Sequence, residues 1–319
     1  MITTPYLKTG DKIRIVSPAG KVKEKYIMPA VEWLQDQGYR VELGKYVFAG
    51  HLQFAGTDQQ RREDLQTALD DPDTTAIICS RGGYGTIHLL DKLNCKGIVK
   101  HPKWIVGFSD ITILHSWMNR IGIATIHGVM PRHFLDSEGN PGESLQSLMN
   151  LLTGNHLTYT IPATVFDRKG KVTARLTGGN LSIISSLQGT IGEIDTDGKI
   201  LFLEDVNEYL YHTDRMMHQL KLSGKLGKLA GLVLGMFTEM KDNESPFGKN
   251  IQEIISEAVE EYDFPVCYNF PAGHYKRNLA LALGNTWELH VNEKQSELKL
   301  IANSYSKKNS SQITQHDTD

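Results

Sequence analysis

Residues 12 to 126 alternate between two patterns, and this alternation constrains the fold more than any other feature of the chain. Short apolar runs typical of buried strands are separated by stretches with helical spacing. The strands are predicted at residues 12–16, 40–43, 75–79, 103–108 and 124–126. Such an alternation predicts βαβ units and a parallel sheet. Functional sites of parallel sheets lie beyond the carboxyl ends of the strands, so the residues that follow each strand are the first candidates.

The chain after about residue 152 has shorter predicted strands, one marked helix and a terminal hairpin, which is typical of a mixed α+β arrangement. We therefore expect an α/β protein with an N-terminal parallel-sheet domain (flavodoxin- or amidotransferase-like) over residues 1–152. A linker is predicted over 153–170, and a smaller mixed α+β domain over 171–303, with the active site in the cleft between the domains. The polar residues 304–319 are predicted to form a disordered tail.

Composition excludes several classes of protein. The formal net charge is −3 and no basic stripe is present, so we expect no nucleic-acid partner. No apolar run approaches the roughly 20 residues that span a bilayer, and the N-terminus lacks a secretory pattern. We therefore expect a cytoplasmic protein without a membrane partner. The cysteines, Cys79, Cys95 and Cys267, are widely spaced and form neither a disulfide framework nor a zinc pattern, and no His-Glu-x-x-His pair occurs, so no metal is expected.

Ser109 lies in the segment Trp104-Ile105-Val106-Gly107-Phe108-Ser109-Asp110-Ile111-Thr112, where a predicted strand turns into a predicted helix. A serine at such a turn presents its hydroxyl group at the N-terminus of the helix, which is the position of a nucleophile. The alternative is a helix cap, which is the commoner use of a serine at this position. The second glycine of the α/β-hydrolase elbow is replaced by Ile111, which argues against that fold.

The segment Arg81-Gly82-Gly83-Tyr84-Gly85 also follows a predicted strand. Glycines there let backbone N–H groups converge on a phosphate, a carboxylate or an oxyanion, and Arg81 can add a charged contact. The spacing matches neither a P-loop nor a dinucleotide fingerprint. A tight turn that needs positive φ is the alternative explanation of these glycines.

Acids and histidines elsewhere supply candidates for a base and for the residue that orients it. The predicted strand at 199–205 ends in an acidic segment, Glu204-Asp205-Val206-Asn207-Glu208, and composition does not decide which acid faces a histidine. His274 follows a Pro-Ala-Gly turn, and His127 lies at the end of another predicted strand. Both histidines are candidates for the general base.

Five segments together resemble the LD-carboxypeptidase family of serine peptidases, which includes murein tetrapeptide carboxypeptidases and microcin-immunity proteins. They are Arg81-Gly82-Gly83-Tyr84-Gly85, Gly107-Phe108-Ser109-Asp110-Ile111-Thr112, Thr177-Gly178-Gly179-Asn180-Leu181-Ser182, Phe202-Leu203-Glu204-Asp205 and Pro271-Ala272-Gly273-His274. The resemblance runs from about Lys8 to Ile301. One departure is His127-Gly128-Val129-Met130-Pro131, where the family usually has His-Gly-Pro.

The resemblance implies a triad of Ser109 as nucleophile, His274 as general base and Glu204 as the residue that orients the histidine. It further implies an oxyanion hole built from the backbone N–H groups of Asp110 and Gly83. The implied reaction is the release of terminal D-alanine from cytoplasmic murein tetrapeptides during peptidoglycan recycling, without a cofactor. Arg81, Tyr84 and Asn180 are predicted to contact this muropeptide substrate, and homodimers are common among such enzymes.

Two alternative functions remain open at this stage. One is the microcin-immunity reaction, in which the amide between a peptide and a modified nucleotide is cleaved. An aromatic and basic loop for the nucleotide would be expected, and none is identified in the sequence. The other is a non-catalytic module that binds a small anion at the glycine segment.

Overall fold

The computed structural model describes residue 2 and residues 4 to 301, so the tail predicted over 304–319 lies outside the described residues. Thirteen strands in these residues form two sheets, and eight α-helices pack against them. In chain order the strands are Lys12–Val16 (β1), Arg40–Leu43 (β2), Thr74–Cys79 (β3), Trp104–Gly107 (β4), Thr125–His127 (β5), Thr158–Pro162 (β6), Gly170–Asn180 (β7), Ile200–Val206 (β8), Gly231–Thr238 (β9), Val266–Cys267 (β10), Leu281–Leu283 (β11), Thr286–Val291 (β12) and Gln295–Leu300 (β13). The helices are Met28–Asp36 (α1), Asp58–Asp70 (α2), Lys96–Lys100 (α3), Thr112–Arg120 (α4), Glu143–Leu152 (α5), Leu181–Ser186 (α6), Leu210–Leu222 (α7) and Ile251–Ala258 (α8).

The first sheet has the order β11-β5-β4-β3-β1-β2. Its five strands from the N-terminal half are parallel, as the alternating pattern predicts. The sixth strand, β11, comes from the C-terminal half and pairs antiparallel with β5. The C-terminal half of the chain therefore contributes a strand to the first sheet. The buried apolar residues of β11 extend that sheet beyond β5.

The second sheet has the order β10-β9-β8-β7-β12-β13-β6. Strands β7 to β10 are parallel, whereas β12, β13 and β6 continue the sheet in antiparallel fashion from β7. The domain boundaries stay a prediction, and the segment 153–170 that was predicted as a linker contains one strand of this sheet, β6. Its alternation of exposed and buried residues, with Tyr159 and Ile161 buried, is that of a strand with one face on the core.

One apolar core connects the sheets. Val106 and Ile126 of the first sheet belong to the same buried cluster as Leu176 and Phe202 of the second. Helix α4 lies between the sheets and contacts both β5 and β7, which explains why its residues 112–118 are all buried. Among the described residues, no helix is long and apolar enough to cross a membrane. The mixed α/β fold with two sheets agrees with the predicted fold class.

Candidate active site

Ser109 begins the short 3₁₀ turn Ser109–Ile111 that connects β4 to α4. Its φ angle is +64°, in the left-handed region that residues other than glycine seldom adopt. Backbone strain of this kind is often found at functional sites, where the surrounding structure enforces it. The strand-turn-helix geometry predicted from the sequence is therefore present at this serine.

Two glycines allow the close packing around this turn. A Cβ atom on Gly107 would lie 2.9 Å from Ile111 Cγ1, so the absence of a side chain at 107 makes room for Ile111. A Cβ atom on Gly82 would lie 2.8 Å from Ser109 Cβ and 3.0 Å from Ser109 Oγ. The backbone of the glycine segment thus packs directly against the serine side chain.

The two predicted oxyanion donors come from different segments, the serine turn and the glycine segment. Asp110 is in the first turn of the 3₁₀ segment, where N–H groups have no partner within a helix. Its buried carboxylate accepts a hydrogen bond from Thr86 N (2.9 Å), which ties the serine turn to the glycine segment. Burial raises the pKa of Asp110, against the hydrogen bonds from Thr86. Gly83 has a φ of +109°, and its N–H group makes no hydrogen bond to any residue that the structure describes.

Glu204 and His274 form a hydrogen-bonded pair at the carboxyl end of β8. Oε2 of Glu204 accepts from the Nδ1 of His274 (2.8 Å) and from its backbone N–H (3.0 Å). An ionised carboxylate only accepts, so Nδ1 carries the proton and Nε2 of the neutral ring keeps its lone pair. A Cβ atom on Gly273, whose φ is +105°, would lie 2.5 Å from Glu204 Oε2, so only glycine permits this approach.

The side chain of Asp205, the adjacent acid, lies on the opposite face of β8. Its carboxylate accepts from Asn180 Nδ2 (2.9 Å), Ser182 N (2.8 Å) and Val206 N (2.8 Å). Successive residues of a strand point to opposite faces, which separates the two acids. Burial, together with the charge of Glu204, raises the pKa of Asp205 to about 6. The structure thus shows that Glu204 faces the histidine, a point that composition left open.

The electrostatic surroundings of His274 favour its charged form. Burial lowers the pKa of His274, but the hydrogen bond and charge of Glu204, helped by the charges of Asp205 and Glu239, outweigh burial and raise it above the usual value. The His274 side chain is 22% exposed, whereas Glu204 is fully buried. A histidine that keeps solvent access and a stabilised cation suits the role of a general base.

His127, the other candidate base, is in a different environment. It is fully buried between Phe108 and Phe202, with ring centroids 5.8 Å and 4.9 Å away. Burial, followed by the charges of His115 and His274, holds the pKa of His127 well below the usual value. A ring so enclosed does not reach a substrate, so the structure distinguishes the two histidines.

The residues around Ser109 and those around His274 contact each other where the two sheets adjoin. The ring centroids of His274 and Phe108, the residue before Ser109, are 5.0 Å apart. Nearby, Asn180 N donates to Thr112 Oγ1 (3.0 Å), which fixes the start of α4 against the end of β7. Ser109, Glu204 and His274 are therefore brought to one region at the carboxyl ends of β4 and β8.

The three residues predicted to contact substrate differ in how exposed they are and in how many hydrogen bonds they already make within the protein. Arg81 is exposed and donates from one guanidinium nitrogen to Lys21 O (2.9 Å). Tyr84 is 49% exposed and packs edge-on against His88. Asn180 is only 4% exposed, caps α6 and uses both ends of its amide within the protein. Contact between Asn180 and a substrate stays a prediction that these bonds do not support.

Sequence reasoning missed three residues around His274: two that hold its loop by hydrogen bonds, and one, Glu239, that acts on it through charge. Thr238 Oγ1 donates to the carbonyl oxygen of His274 (2.8 Å), and Glu239 follows at the end of β9. Asn278 Oδ1 accepts from Gly273 N (2.9 Å). The position of Thr238 and Glu239 at a strand end next to β8 was the available signal, whereas that of Asn278 depends on the folded loop.

Metal ligands are not grouped near this site. Across residue 2 and residues 4 to 301, no cluster of three or more His, Cys, Asp or Glu side chains could hold a metal ion.

Comparisons with known proteins identify the family to which the chain is similar. The model of the LD-carboxypeptidase N-terminal domain matches residues 13–128, and that of the C-terminal domain matches residues 173–289. The chain is 33% identical to the murein tetrapeptide carboxypeptidase of Pseudomonas aeruginosa over 88% of its own length and 94% of the relative's. It is 26% identical to the Escherichia coli microcin C7 self-immunity protein MccF, over 87% of this chain and 90% of that protein. The crystal structure of the muramoyltetrapeptide carboxypeptidase from Oxalobacter formigenes matches with a TM-score of 0.83 at 29% identity, covering 91% of this chain and 99% of that one.

Proposed function

Because the chain belongs to the LD-carboxypeptidase family, we propose that it removes the terminal D-alanine of murein tetrapeptides with Ser109, His274 and Glu204 as its catalytic triad. Family membership makes the chain a serine carboxypeptidase and removes the non-catalytic binding module from consideration. The observation that carries the triad is the bond between Glu204 and His274, whose ring lies against the residue preceding the strained Ser109. The place of this reaction in cytoplasmic peptidoglycan recycling, and a homodimeric state, stay predictions.

In the proposed mechanism, Ser109 Oγ attacks the carbonyl carbon between an L-centre and terminal D-alanine. His274 Nε2 takes the hydroxyl proton and then delivers it to the nitrogen of the departing D-alanine. Glu204 stabilises the imidazolium that exists between these steps. Water, deprotonated by the same histidine, then hydrolyses the acyl-enzyme.

The oxyanion of each tetrahedral intermediate would be bound by the N–H groups of Asp110 and Gly83. Gly83 N is uncommitted in the described structure, which suits this role. One such donor typically contributes on the order of 3 kcal/mol to transition-state stabilisation. Arg81, on the same segment, would bind the free carboxylate of the substrate, and Tyr84 would contact the peptide.

The test is the hydrolysis of L-Ala-γ-D-Glu-meso-diaminopimelate-D-Ala, followed by mass detection of the released D-alanine. Ser109→Ala should reduce kcat by about 10⁴-fold or more, because the nucleophile is removed. Ser186→Ala, at an exposed serine of α6, is the matched control and should be as active as the wild type. A folded Ser109→Ala variant with wild-type turnover would contradict the assignment of the nucleophile.

A second candidate reaction is favoured by one feature of the structure. Beyond β8, aromatic and basic side chains cluster where the sequence alone showed no such loop. The guanidinium of Arg215 lies 5.3 Å from the ring centroid of Tyr211, and Lys241 Nζ lies 5.8 Å from that of Tyr209. Rings and cations of this kind suit a nucleotide, which is the ligand class of the microcin-immunity reaction. A peptidyl-nucleotide conjugate belongs in the same assay, and its faster hydrolysis would favour this function.

A further inference from the structure

A cavity of about 190 Å³ lies at the edge of the sheets opposite to Ser109. Its wall contains the C-terminal end of α4, the residues that begin the parallel pairing of β7 with β8, and Gly284 after β11. These positions are at the amino ends of the parallel strands, whereas the candidate active site is at their carboxyl ends. Both sequence halves contribute walls, so a ligand there would contact the two sheets at once.

The cavity has an excess of positive charge. Arg120, Arg175 and Lys199 line it together with one acid, Asp195. Lys199 forms an ion pair with Asp195, and although burial raises the pKa of Asp195, this pair lowers it below the usual value overall. Asp195 is thus neutralised by Lys199, and the two arginines remain as the excess charge of the cavity wall. Such a surface attracts an anion.

Two groups in the wall lack protein partners. Arg175 is exposed, and its guanidinium group forms neither a hydrogen bond nor an ion pair with any residue in the described part of the chain. The amide of Asn119 donates to Ile123 O (3.1 Å) and Thr125 Oγ1 (3.3 Å), which fixes its orientation. Its Oδ1 atom is buried and has no partner among the described residues. A buried acceptor without a donor is costly and is usually satisfied by a ligand or a water molecule.

These two groups differ in what they require of a ligand. The guanidinium of Arg175 requires oxygens that accept hydrogen bonds, while Asn119 Oδ1 requires a donor. Hydrogen phosphate offers both, because it has charged oxygens and one hydroxyl group. Sulfate has the same shape and charge but no hydroxyl group. A cavity of about 190 Å³ has room for such an ion and several waters of about 30 Å³ each.

We propose that this cavity is a binding site for a compact oxyanion that carries a hydroxyl group, with hydrogen phosphate as the simplest member of the class. Arg175 and Arg120 bind the charged oxygens, and Asn119 accepts the hydroxyl proton in a hydrogen bond. Because α4 carries the serine turn at its other end and β8 carries Glu204, the bound ion links the elements that hold the two sides of the active site. It therefore stabilises the folded chain, and this stabilisation grows with the logarithm of the ion concentration once that concentration exceeds the Kd.

The test is isothermal titration of the full chain with inorganic phosphate at pH 7 and constant ionic strength, together with thermal melting. We expect saturable binding, a melting temperature that rises with phosphate, and weaker binding of sulfate. Arg175→Gln should weaken phosphate binding at least tenfold and leave the melting temperature without phosphate unchanged, because Arg175 has no partner in the described structure to lose. Arg62→Gln, at an exposed arginine of α2, is the matched control and should bind phosphate like the wild type.

Arg81→Gln distinguishes this cavity from the active-site cleft. If phosphate occupied the glycine segment, Arg81→Gln would abolish binding and Arg175→Gln would not, and the proposal would be overturned. Absence of saturable phosphate binding to the wild type would also overturn it. Equal affinity for sulfate and phosphate would remove the role of Asn119 and, with it, the hydroxyl requirement.

Discussion

Ser109 and His274 are held in place by different means, although they lie in one site. The serine is positioned by the backbone, through a φ of +64° and through glycines that let neighbouring segments pack against it. The histidine is positioned by hydrogen bonds, two of them to one carboxylate oxygen. Substitutions near the serine should therefore act through steric displacement, whereas substitutions near the histidine should act through charge.

Because of this difference, the rate and the pH profile of the reaction should respond differently to substitutions near the serine and near the histidine. A steric change moves the nucleophile but leaves the protonation of His274 intact, so the rate falls while the pH profile stays in place. A change of charge moves the pKa of His274, so the pH profile moves with the rate. The predictions below use this distinction.

Among the substitutions that test this comparison, the largest effect is expected for Glu204→Gln. The glutamine has a similar shape but no charge to stabilise the imidazolium, and a loss of kcat on the order of 10⁴-fold is typical when the acid of such a triad is made neutral. The pKa of His274 should fall, because the hydrogen bond and charge of Glu204 are what raise it. Steady-state kinetics across pH 5 to 9 would measure both changes. Glu257→Gln on α8, which breaks a surface ion pair with Lys249, should change neither.

Gly82→Ala should have the next largest effect, and on the serine side alone. The backbone of Gly82 is not in the left-handed region, so the strain of an alanine there comes from its contacts with the Ser109 side chain and, less closely, with Phe108 O (3.2 Å). Displacement of a nucleophile by a fraction of an ångström to an ångström costs up to about 10²-fold in rate. The acid limb of the pH profile should remain at the wild-type position.

Gly50→Ala is the matched control for this steric test, since a Cβ atom at residue 50 meets nothing within 4 Å. An active Gly82→Ala variant with unchanged kcat would show that the contact with the serine does not fix the nucleophile. A displaced pH profile in the same variant would show that the two sides of the site are not independent.

A smaller effect is expected for Glu239→Gln. The pKa of His274 is raised in the folded protein, so the acid limb of kcat/KM should be centred above pH 6.5, with activity rising as the imidazole loses its proton. Removing the charge of Glu239 lowers this pKa, which raises activity at pH 6 by less than tenfold. Glu239 is exposed, so the effect should disappear in 1 M salt. The control, Glu32→Gln on α1, should leave the pH profile unchanged. If Glu239→Gln shifted the profile as far as Glu204→Gln does, the expected order of the two effects would be wrong.

Much of the first sheet could be predicted from local patterns. Strands β1 and β2 have the predicted bounds, and β3 to β5 differ from theirs by one residue at one or both ends. Strand β11 could not be predicted, because three apolar residues give no local signal and its partner lies more than 150 positions earlier in the chain. Long-range pairing of this kind depends on how the two halves pack together.

The site shows the same division between local and long-range information. The strand-turn-helix at Ser109 is a local pattern, and the structure reproduces it. The choice between Glu204 and Asp205 depends on which face of β8 meets His274, and the choice between His127 and His274 depends on burial. Asn180 was predicted to contact the substrate, yet the buried Asp205 carboxylate binds its amide. Each of these outcomes depends on contacts between distant residues.

The last prediction concerns the acid that does not face the histidine. The pKa of Asp205 is about 6 in the folded chain and near the ordinary value of 3.8 in the unfolded chain, chiefly because of burial. Between these two values the folded state binds more protons than the unfolded state, so this group makes the free energy of unfolding fall as the pH rises. Asp205→Asn should remove that contribution. The difference in the free energy of unfolding between the wild type and the variant should therefore change with pH from about 4 to 6 and stay constant above pH 6. Urea unfolding at several pH values measures this difference. Asp205 contributes less than Glu204 to the pKa of His274, so the Asp205→Asn variant should retain most of its kcat. A loss of kcat comparable to that of Glu204→Gln would mean that the two faces of β8 share one function.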